Sequence, residues 1–411
     1  MKIGKELIVK IERMNNEGDG VAIYDDFVIF VKEALIGEEV SVKIVDVKKN
    51  YAVATIKKII IPSENRRVPV CPFYKECGGC NLMHIDYEEQ LRFKKTKIES
   101  IFKKISHMDI SVKEVCSYNN LYYRNKAVFK VEEDKIGFYK PKTNSLIDIN
   151  ECMICNKCIN DTLVKIREFI KNNKYHEIKE VMIRVARDEV MVSIDYLNEE
   201  YIEKIKESLC DVTSLYINNK LVYGIESINQ KINDLVFDIS PKSFFQVNVE
   251  TASKLYEYAL KDVIDKNICV DLYCGTGTIT MLLAKKSRRV IGIESVESAI
   301  EDAKNNLLLN DIDNVEFKLG KVEELIDELK DINIDTLVLD PPRSGSDKKS
   351  LRYLLKIKPK EIIYISCNPV TLARDYNVLK NLYEIKEITA FDMFPNTNHV
   401  ETVMVLEKKD V

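Results

Sequence analysis

The stretch Ile268 to Thr278, ICVDLYCGTGT, decides the fold of the C-terminal half of the chain. Its first part, Ile268 to Leu272, has the apolar character of a buried strand. Gly275 and Gly277 then permit a tight turn and a close approach of the backbone to a ligand before a helix begins. From Ser243 onward such strands are separated by helices, which is the pattern of a doubly wound parallel sheet.

The next strand, Arg289 to Ile293, ends at Glu294, about 20 residues beyond the glycines. A carboxylate at that point can accept hydrogen bonds from both ribose hydroxyls of a nucleoside cofactor. A dinucleotide fold is the competing interpretation, but the third glycine of its phosphate-binding turn is missing. The pattern Asp-x-Tyr-x-Gly-x-Gly from Asp271 to Gly277 is more similar to motif I of class I S-adenosylmethionine methyltransferases. That resemblance implies S-adenosyl-L-methionine as the cofactor.

The composition is that of a globular protein. The chain has 411 residues, 45% hydrophobic and 31% charged, enough for two or three domains with a substantial core. No apolar run approaches the ~18 residues of a membrane helix, and no signal peptide is visible, so we expect no membrane partner. Eleven cysteines are then better explained as thiols, metal ligands or catalysts than as disulfides. We expect a cytoplasmic protein and a monomer; the net charge of −4 neither indicates nor excludes a nucleic-acid partner.

A second stretch, Ile362 to Thr371 (IIYISCNPVT), predicts a nucleophile. An apolar strand, Ile362 to Ile365, is followed by Cys367 in a turn, and Thr371 is predicted to cap the next helix. A thiol that faces a helix N-terminus lies in positive potential, so we expect the pKa of Cys367 to fall below that of a free cysteine. The alternative is that Cys367 is a small buried hydrophobic residue.

The first sixty residues alternate apolar and polar side chains in short runs separated by turns. This pattern predicts a small antiparallel barrel of the OB type, with strands at Glu6 to Ile11, Phe27 to Val31, Glu39 to Val45 and Ala52 to Ile59. The turn Gly18-x-Gly20-Val21-Ala22 resembles that of a TRAM domain, an RNA-binding barrel, which we place at residues 1–62. Ten basic and ten acidic side chains in residues 1–60 do not themselves indicate RNA, so a barrel without a binding role is the alternative.

A cluster of cysteines follows the barrel. Cys71, Cys77 and Cys80, with two glycines before the last, form an incomplete metal site. Thiolates suit either iron–sulfur clusters or tetrahedral zinc. Spacing does not decide between the two metals, and structural cysteines clustered by chance are the alternative. A fourth ligand must come from elsewhere; the candidates are Cys152, Cys155, Cys158 and, more weakly, His84.

The middle of the chain, residues 63–240, is predicted to be an α+β domain that binds RNA. Residues 90–142 contain 13 Lys and Arg against 6 Asp and Glu, with eight Phe and Tyr side chains among them. Cations for phosphates and rings for stacking are what single-stranded RNA requires. The alternative is a solvated helix, Glu88 to Lys104, followed by a sheet whose aromatic residues form the core.

Three further motifs identify a family. A strand from Thr336 to Leu339 leads into Asp-Pro-Pro-Arg at residues 340–343, and Ser-Cys-Asn-Pro and Asp-x-Phe-Pro-x-x-x-His-x-Glu follow at residues 366–369 and 392–401. Over nearly the whole chain this series resembles the TrmA/RumA family of RNA uracil-5-methyltransferases, and most closely its members that modify ribosomal RNA. Asn396 departs from the Gln or His usual in the family.

The resemblance implies a role for each site residue. Gln246, Tyr273, Glu294 and Asp340 would bind S-adenosyl-L-methionine, and residues 241–411 would form the class I methyltransferase domain. Cys71, Cys77, Cys80 and Cys152 would hold a [4Fe–4S] cluster, because Asp148 to Cys152 matches the family's Asp-x-x-x-Cys pattern. Tyr-Arg-Asn-Lys at residues 123–126 would contact RNA.

The chemistry of uracil explains the catalytic pair that the resemblance implies. Uracil C5 is too poor a nucleophile to take a methyl group directly, so Cys367 would add to C6 and Glu401 would later remove the C5 proton. His399 is the alternative base because a histidine titrates near neutral pH. We expect a single-stranded or loop uridine of 23S ribosomal RNA as the substrate. Transfer RNA is the second candidate, and a non-catalytic RNA-binding module is the alternative from another class.

Overall fold

The computed structural model describes residues 1–174 and 176–410. The chain divides into two compact units, one of Met1–Lys97 with Phe394–His399 and one of Ile98–Met393 with Val400–Val411. The predicted division into three domains at residues 62 and 240 stays a prediction.

The first unit contains a six-stranded sheet in the order β1-β5-β6-β4-β3-β2. Its strands are β1 (Glu6–Lys10), β2 (Arg13–Met14), β3 (Gly20–Tyr24), β4 (Phe27–Lys32), β5 (Glu39–Val47) and β6 (Tyr51–Ile61). Alternate side chains of these strands, among them Val9, Ile29 and Val42, are buried in one core. The backbone N–H of Glu12, just after β1, donates to Val21 O of β3, so the sheet curls into a barrel.

The four strands predicted from alternation are present, but the barrel is not wholly antiparallel as predicted. β4 and β6 run parallel, with Val28 opposite Tyr51, because alternation of side chains reveals a strand but not its direction. The short strands β2 and β3 were not predicted. Gly20 begins β3 because the chain passes close to its neighbours there: a Cβ on Gly20 would lie 2.8 Å from Ala34 Cβ.

Helix α1 covers Tyr87–Ile105, which confirms the helix predicted from Glu88 to Lys104. In the second unit, which starts at Ile98 within α1, β7 (Val115–Cys116) is followed by a seven-stranded sheet in the order β10-β9-β8-β11-β12-β13-β14. This part comprises β8 (Lys126–Glu132), β9 (Lys135–Tyr139), β10 (Leu146–Asp148), α2 (Lys157–Asn172), β11 (Glu180–Ala186), β12 (Glu189–Asp195), a 3₁₀ helix (Glu199–Tyr201), α3 (Ile202–Ser208), β13 (Ser214–Ile217), β14 (Lys220–Gly224) and the hairpin β15 (Ile228–Ile232) and β16 (Leu235–Ile239).

The rest of the second unit is built on an eight-stranded sheet in the order β19-β18-β17-β20-β21-β23-β22-β7. Its elements are α4 (Val249–Ala259), β17 (Lys266–Leu272), α5 (Thr278–Ala284), β18 (Ser287–Glu294), α6 (Glu297–Leu309), β19 (Val315–Leu319), α7 (Val322–Leu325), a 3₁₀ helix (Ile326–Leu329), β20 (Thr336–Leu339), α8 (Lys348–Ile357), β21 (Glu361–Ser366), α9 (Pro369–Leu379), β22 (Tyr383–Phe391) and β23 (Glu401–Lys408). The strands β19, β18, β17, β20 and β21 are parallel. β23 returns antiparallel between β21 and β22.

This arrangement confirms the doubly wound parallel sheet. The parallel strands are buried because helices cover them, and their side chains form one core with those of α1, α8 and α9. In such a sheet ligands bind at the carboxyl ends of the strands. β17, β18, β20 and β21 end at the same edge, where the glycine turn, Glu294, Asp-Pro-Pro-Arg and Ser-Cys-Asn-Pro lie. The motif of residues 392–401 instead follows β22 and leads into β23. No helix in the described part of the chain is long and apolar enough to cross a membrane.

Candidate active site

The glycine turn after β17 has the backbone conformation that a ligand-binding loop requires. Tyr273, Gly275 and Gly277 all have positive φ, at 66°, 55° and 82°. The value for Tyr273 is a strained one for a residue with a side chain, and such strain is concentrated at functional sites. Gly277 precedes α5, and a Cβ there would lie 3.0–3.2 Å from Met281, Phe317 and Ala303.

The acidic residues at the ends of β17 and β18 hold this turn in place. The fully buried carboxylate of Asp271 accepts from Thr280 Oγ1 at 2.6 Å. Burial raises the pKa of Asp271 to about 7, and its Oδ1 is without a hydrogen-bond partner. Glu294 Oε2 accepts from Gly275 N at 3.1 Å, while its Oε1 accepts from Ser295 N and Val296 N. Oε2 accepts one backbone hydrogen bond and Oε1 accepts two, so Oε2 has more capacity left for the predicted ribose contact.

Tyr256, which sequence reasoning missed, contacts Gln246 and lies close to Asp340. Gln246 Nε2 donates to the hydroxyl of Tyr256 at 3.2 Å. Tyr256 is buried in α4, and its pKa is raised by burial and by the nearby charges of Asp340 and Glu401. Burial raises the pKa of Asp340 to about 7. No motif marks Tyr256; only the folding of α4 onto the sheet brings it here.

Cys367 follows β21 and precedes α9, as predicted. The cap of α9 is Asn368 and not Thr371: Asn368 Oδ1 accepts from Val370 N at 3.1 Å. Pro369 occupies the first helical position, where its missing N–H costs nothing. Thr371 lies within the first turn and donates its hydroxyl to Asn368 O.

The predicted fall in the pKa of Cys367 is wrong. Burial raises the pKa of this thiol to about 11, and the negative charges of Glu401 and Asp340 add to the effect. Arg343, an exposed residue after β20, lowers the pKa of Cys367 but does not offset them. The loss of solvent and the two carboxylates thus raise the pKa of Cys367 by more than the N-terminus of the neighbouring helix lowers it.

Glu401 begins β23 beside Cys367. Ser366 pairs with Thr402 across the two antiparallel strands, so the residues that follow and precede them emerge from the sheet together. Burial and the charge of Asp340 raise the pKa of Glu401 to about 8, while Arg343 opposes the rise. His399 is exposed, and its ring lies 6.1 Å from that of Phe394.

A buried hydrogen-bond network supports the loop that carries Arg343. Asp375 Oδ2 accepts from the Tyr364 hydroxyl at 2.7 Å and from Ser346 N at 2.9 Å. The Ser346 hydroxyl is in turn 3.1 Å from the hydroxyl of Tyr273. The loop after β20 and the turn after β17 are therefore fixed to each other.

Three cations lie next to Gln246 in the second unit. Lys126 and Arg184 are cross-strand partners in β8 and β11, and Arg124 donates to Lys126 O at 2.9 Å. Burial and the charges of Arg184 and Arg124 lower the pKa of Lys126 to about 8. Asn125, between the two basic residues, donates to Gln246 O at 3.2 Å. Arg184 is buried and donates to the backbone carbonyls of Ser240 and Ser243, so a phosphate would be bound by Arg124 and Lys126.

The predicted metal ligands lie in different units. Cys71, Cys77 and Cys80 are partly exposed residues in a loop of turns in the first unit, and Cys152 lies in a loop of the second. Hydrogen bonds to Asn160 fix the backbone of Cys152, and the thiol of Cys155 lowers the pKa of Cys152 to about 6. His84 is buried in the first unit, 2.6 Å from the Tyr74 hydroxyl.

Thiolates are suitable ligands for iron–sulfur clusters and zinc. Within residues 1–174 and 176–410, no three His, Cys, Asp or Glu side chains are grouped so as to hold a metal ion.

The cofactor site, by contrast, suits S-adenosylmethionine. A glycine turn lies between two strand ends, and three carboxyl groups with raised pKa values, Asp271, Asp340 and Glu401, favour a cationic ligand. Together with the doubly wound sheet, these features define an S-adenosylmethionine-dependent methyltransferase.

Comparison with known proteins gives the family. Residues 86–409 match the family described as tRNA (Uracil-5-)-methyltransferase, and residues 1–57 match the TRAM domain. The chain belongs to this family, and it is an RNA (uracil-5-)-methyltransferase with an N-terminal TRAM domain. The resemblance to TrmA/RumA enzymes is confirmed.

Individual relatives are similar to this chain over nearly its whole length. An uncharacterised RNA methyltransferase of Clostridium tetani is 39% identical over 96% of this chain and 95% of its own. One of Clostridium acetobutylicum is 37% identical over 100% of this chain and 98% of its own. The crystal structure of Pyrococcus abyssi tRNA (uracil-54, C5)-methyltransferase with S-adenosyl-L-homocysteine is 30% identical, with a TM-score of 0.80 over 97% of this chain and 99% of that chain.

Proposed function

We propose that this enzyme methylates C5 of a uridine in 23S ribosomal RNA, with Cys367 as nucleophile and Glu401 as base. The observation that carries the mechanism is the pairing of β21 with β23, which places the two residues side by side. A thiol and a carboxyl at one strand-end edge, next to the cofactor turn, are what addition to C6 and proton removal from C5 require.

In the proposed mechanism, each site residue of the chain has its own role. Gln246, Tyr273, Glu294 and Asp340 would hold S-adenosylmethionine, which supplies the methyl group when bound. The thiolate of Cys367 adds to C6 of the uracil and makes C5 a carbon nucleophile.

After C5 has been methylated, Glu401 takes the C5 proton, the C5–C6 double bond re-forms and the Cys367 thiolate leaves. A pKa of about 8 suits Glu401 for accepting and releasing a proton near neutral pH. The target uridine must leave its stack to reach the thiol, at a cost of a few kcal/mol, which favours a loop or single strand.

Two variants distinguish the roles. Cys367→Ala should abolish both methyl transfer and covalent attachment to RNA. Glu401→Gln should still allow addition and methylation, but Cys367 then cannot leave. With radiolabelled S-adenosylmethionine we expect a labelled protein–RNA adduct that survives denaturing electrophoresis. Cys210→Ala and Glu407→Gln, which change exposed residues of the same unit, are the controls. Turnover of Glu401→Gln near the wild-type rate would mean that His399 or water is the base.

The choice of ribosomal RNA rests on the family resemblance, and one observation favours transfer RNA. The Pyrococcus abyssi enzyme, which is similar over 97% of this chain, is named for uracil 54 of tRNA. Mass mapping of 5-methyluridine in both RNA fractions from a strain that lacks the gene decides between them. Loss from 23S RNA supports the proposal, and loss from tRNA alone supports the second candidate.

We also propose that Cys71, Cys77, Cys80 and Cys152 hold a [4Fe–4S] cluster. The support is three partly exposed thiols within ten residues of one loop and the resemblance to the family. Protein purified without oxygen should contain iron and sulfide, and Cys152→Ser should lose them whereas Cys158→Ser should not. One zinc and no iron would refute the cluster, and loss of iron in Cys155→Ser alone would change the fourth ligand.

The predicted cytoplasmic location and monomeric state belong to the same proposal. Eleven cysteines fit a reducing compartment. Light scattering of the purified protein tests the monomer, and cell fractionation tests the location.

A further inference from the structure

A second pocket lies in the methyltransferase unit, at the edge where β7 joins β22. It has a volume of about 450 Å³, within the roughly 300–1,000 Å³ of small-molecule sites. The residues that line it include Tyr118, Thr251, Lys254, Glu257, Tyr258 and Phe391. None of them has a role in the chemistry proposed above.

The pocket is adjacent to the catalytic base. Phe391, which lines it, is the cross-strand partner of Glu401. Direct partners in an antiparallel pair project to the same face of the sheet, with Cβ atoms ~4.5–5.5 Å apart. A ligand in this pocket therefore lies next to the cross-strand partner of Glu401, whose carboxylate would remove the C5 proton.

One wall of the pocket is a single face of helix α4. Thr251, Lys254 and Tyr258 follow at the spacing of three and four residues that aligns side chains along a helix. Thr251 is 2% exposed, and its hydroxyl has no hydrogen-bond partner among the residues that the structure describes. A buried hydroxyl without a partner is costly, and a polar group of a ligand at the bottom of the pocket would offset that cost.

The other walls are aromatic. The rings of Tyr258 and Phe391 meet edge to face at 5.6 Å, and Tyr118 is 56% exposed at the mouth. Phe391 is buried, so the exposed ring of Tyr118 is the one that can stack on the flat face of a nucleobase; each stacked base contributes ~1–3 kcal/mol to single-strand binding.

The charges around the pocket favour a ligand with one phosphate group over a polyphosphate. Lys261 lies 3.8 Å over the Tyr258 ring and pairs with Glu387. Lys254 pairs with exposed Glu257, which also lines the pocket, and surface pairs of this kind are weak. Lys254 is thus available to a phosphate, whereas the two glutamates disfavour a polyphosphate.

We propose that this pocket binds an unpaired nucleotide of the substrate RNA that neighbours the target uridine. The inference rests on the proposed target being a uridine at Cys367 and Glu401. Tyr118 stacks on the base, the Thr251 hydroxyl bonds to its polar edge, and Lys254 contacts its phosphate. The pocket would thereby fix the strand on one side of the base that is methylated.

Binding of fluorescein-labelled decauridylate, measured by anisotropy, tests the pocket. Tyr118→Ala should weaken binding roughly 5- to 150-fold, the range for loss of one stacked base. Tyr196→Ala, which removes a ring outside the pocket that is 67% exposed against 56% for Tyr118, should not change it. Thr251→Val keeps the shape and removes only the hydroxyl. It should weaken binding about fivefold without lowering the melting temperature, because the hydroxyl has no partner in the described part of the chain.

The outcomes separate this inference from the proposed function. Unchanged decauridylate binding in both pocket variants would overturn the pocket, even if the wild-type enzyme methylates RNA. Loss of binding in the variants would support the pocket, even if uridine methylation by Cys367 and Glu401 were disproved. Saturation of the wild-type protein by micromolar uridine monophosphate, lost in Thr251→Val, would make this a site for a free nucleotide and would overturn the assignment to RNA.

Discussion

The ionisation of Cys367 provides the most direct test of the electrostatics of this site. Its pKa of about 11 gives a thiolate fraction of ~0.1% at pH 8, against ~24% for a free cysteine of pKa 8.5. The fraction alone makes Cys367 ~200-fold less reactive toward iodoacetamide. A more basic thiolate is a better nucleophile, by ~10-fold over this difference in pKa. We therefore expect alkylation ~20-fold slower than that of a free cysteine at pH 8 in the cofactor-free protein.

The neighbouring charges predict the sign of two substitutions. Glu401 has a pKa of about 8, so its carboxylate raises the pKa of Cys367 mainly above pH 8. Glu401→Gln should lower the pKa of Cys367; one unit would give tenfold more thiolate and ~3-fold faster alkylation at pH 9. Arg343→Gln removes the opposing cation and should slow alkylation. Below pH 7 Glu401 is mostly protonated, so Glu401→Gln should react like the wild type.

The assay is a pH series from 7 to 11 read by peptide mass spectrometry. The tryptic fragment of residues 361–374 contains one cysteine, so its alkylation reports Cys367 alone. Glu407→Gln, an exposed change on the same strand, is the matched control. A wild-type Cys367 that ionises near pH 8.5, or one that ignores Glu401→Gln, would refute the reasoning.

Three further predictions concern the framework of the molecule. Arg66→Met should destabilise the barrel by about 3 kcal/mol in urea unfolding, because the fully buried Glu38 loses a two-point ion pair; an unchanged midpoint would contradict this. Arg66 also helps to lower the pKa of Glu38, so this stability is present above the unfolded-state pKa and is lost as the pH falls through the folded-state pKa. Lys126→Met should weaken decauridylate binding and reduce the slope of log K against log salt by about 0.7, whereas an unaltered slope would show that Lys126 contacts no phosphate. Gly277→Ala should lower both the melting temperature and S-adenosylmethionine affinity in calorimetry, since φ is 82° and the new Cβ would crowd its neighbours; normal values for both would disprove the close fit.

The strands of the methyltransferase unit could be predicted because burial on both faces leaves long apolar runs in the sequence. The strand from Thr336 to Leu339 has the predicted bounds, and that from Ile268 to Leu272 is extended by two residues. In the barrel, β3 could not be recognised from the sequence because it begins with Gly20. This residue is a glycine because Ala34 lies against it. A close approach between distant segments leaves no periodic signal.

Caps and turns were predictable in kind but not in detail. Thr371 and Asn368 are both acceptable caps from sequence. Pro369 decides between them, since it fits the first helical position and thus makes Asn368 the cap of α9. The parallel pairing of β4 with β6 was likewise beyond reach, because alternation is the same for either direction of a strand.

The error about Cys367 shows why a site needs the whole fold. The local sequence offers only the helix that follows, whose N-terminus favours a thiolate. The charges that reverse the sign come from Glu401 and Asp340, which reach the thiol because β23 and β20 flank β21 in the sheet. A catalytic carboxylate placed where it can take the C5 proton is necessarily close to the nucleophile and raises its pKa. Arg343, and the positive charge of a bound methyl donor, act in the opposite sense. The thiol is therefore mostly protonated near neutral pH. In the proposed mechanism, bound S-adenosylmethionine would supply the methyl group and also a positive charge that favours the thiolate of Cys367.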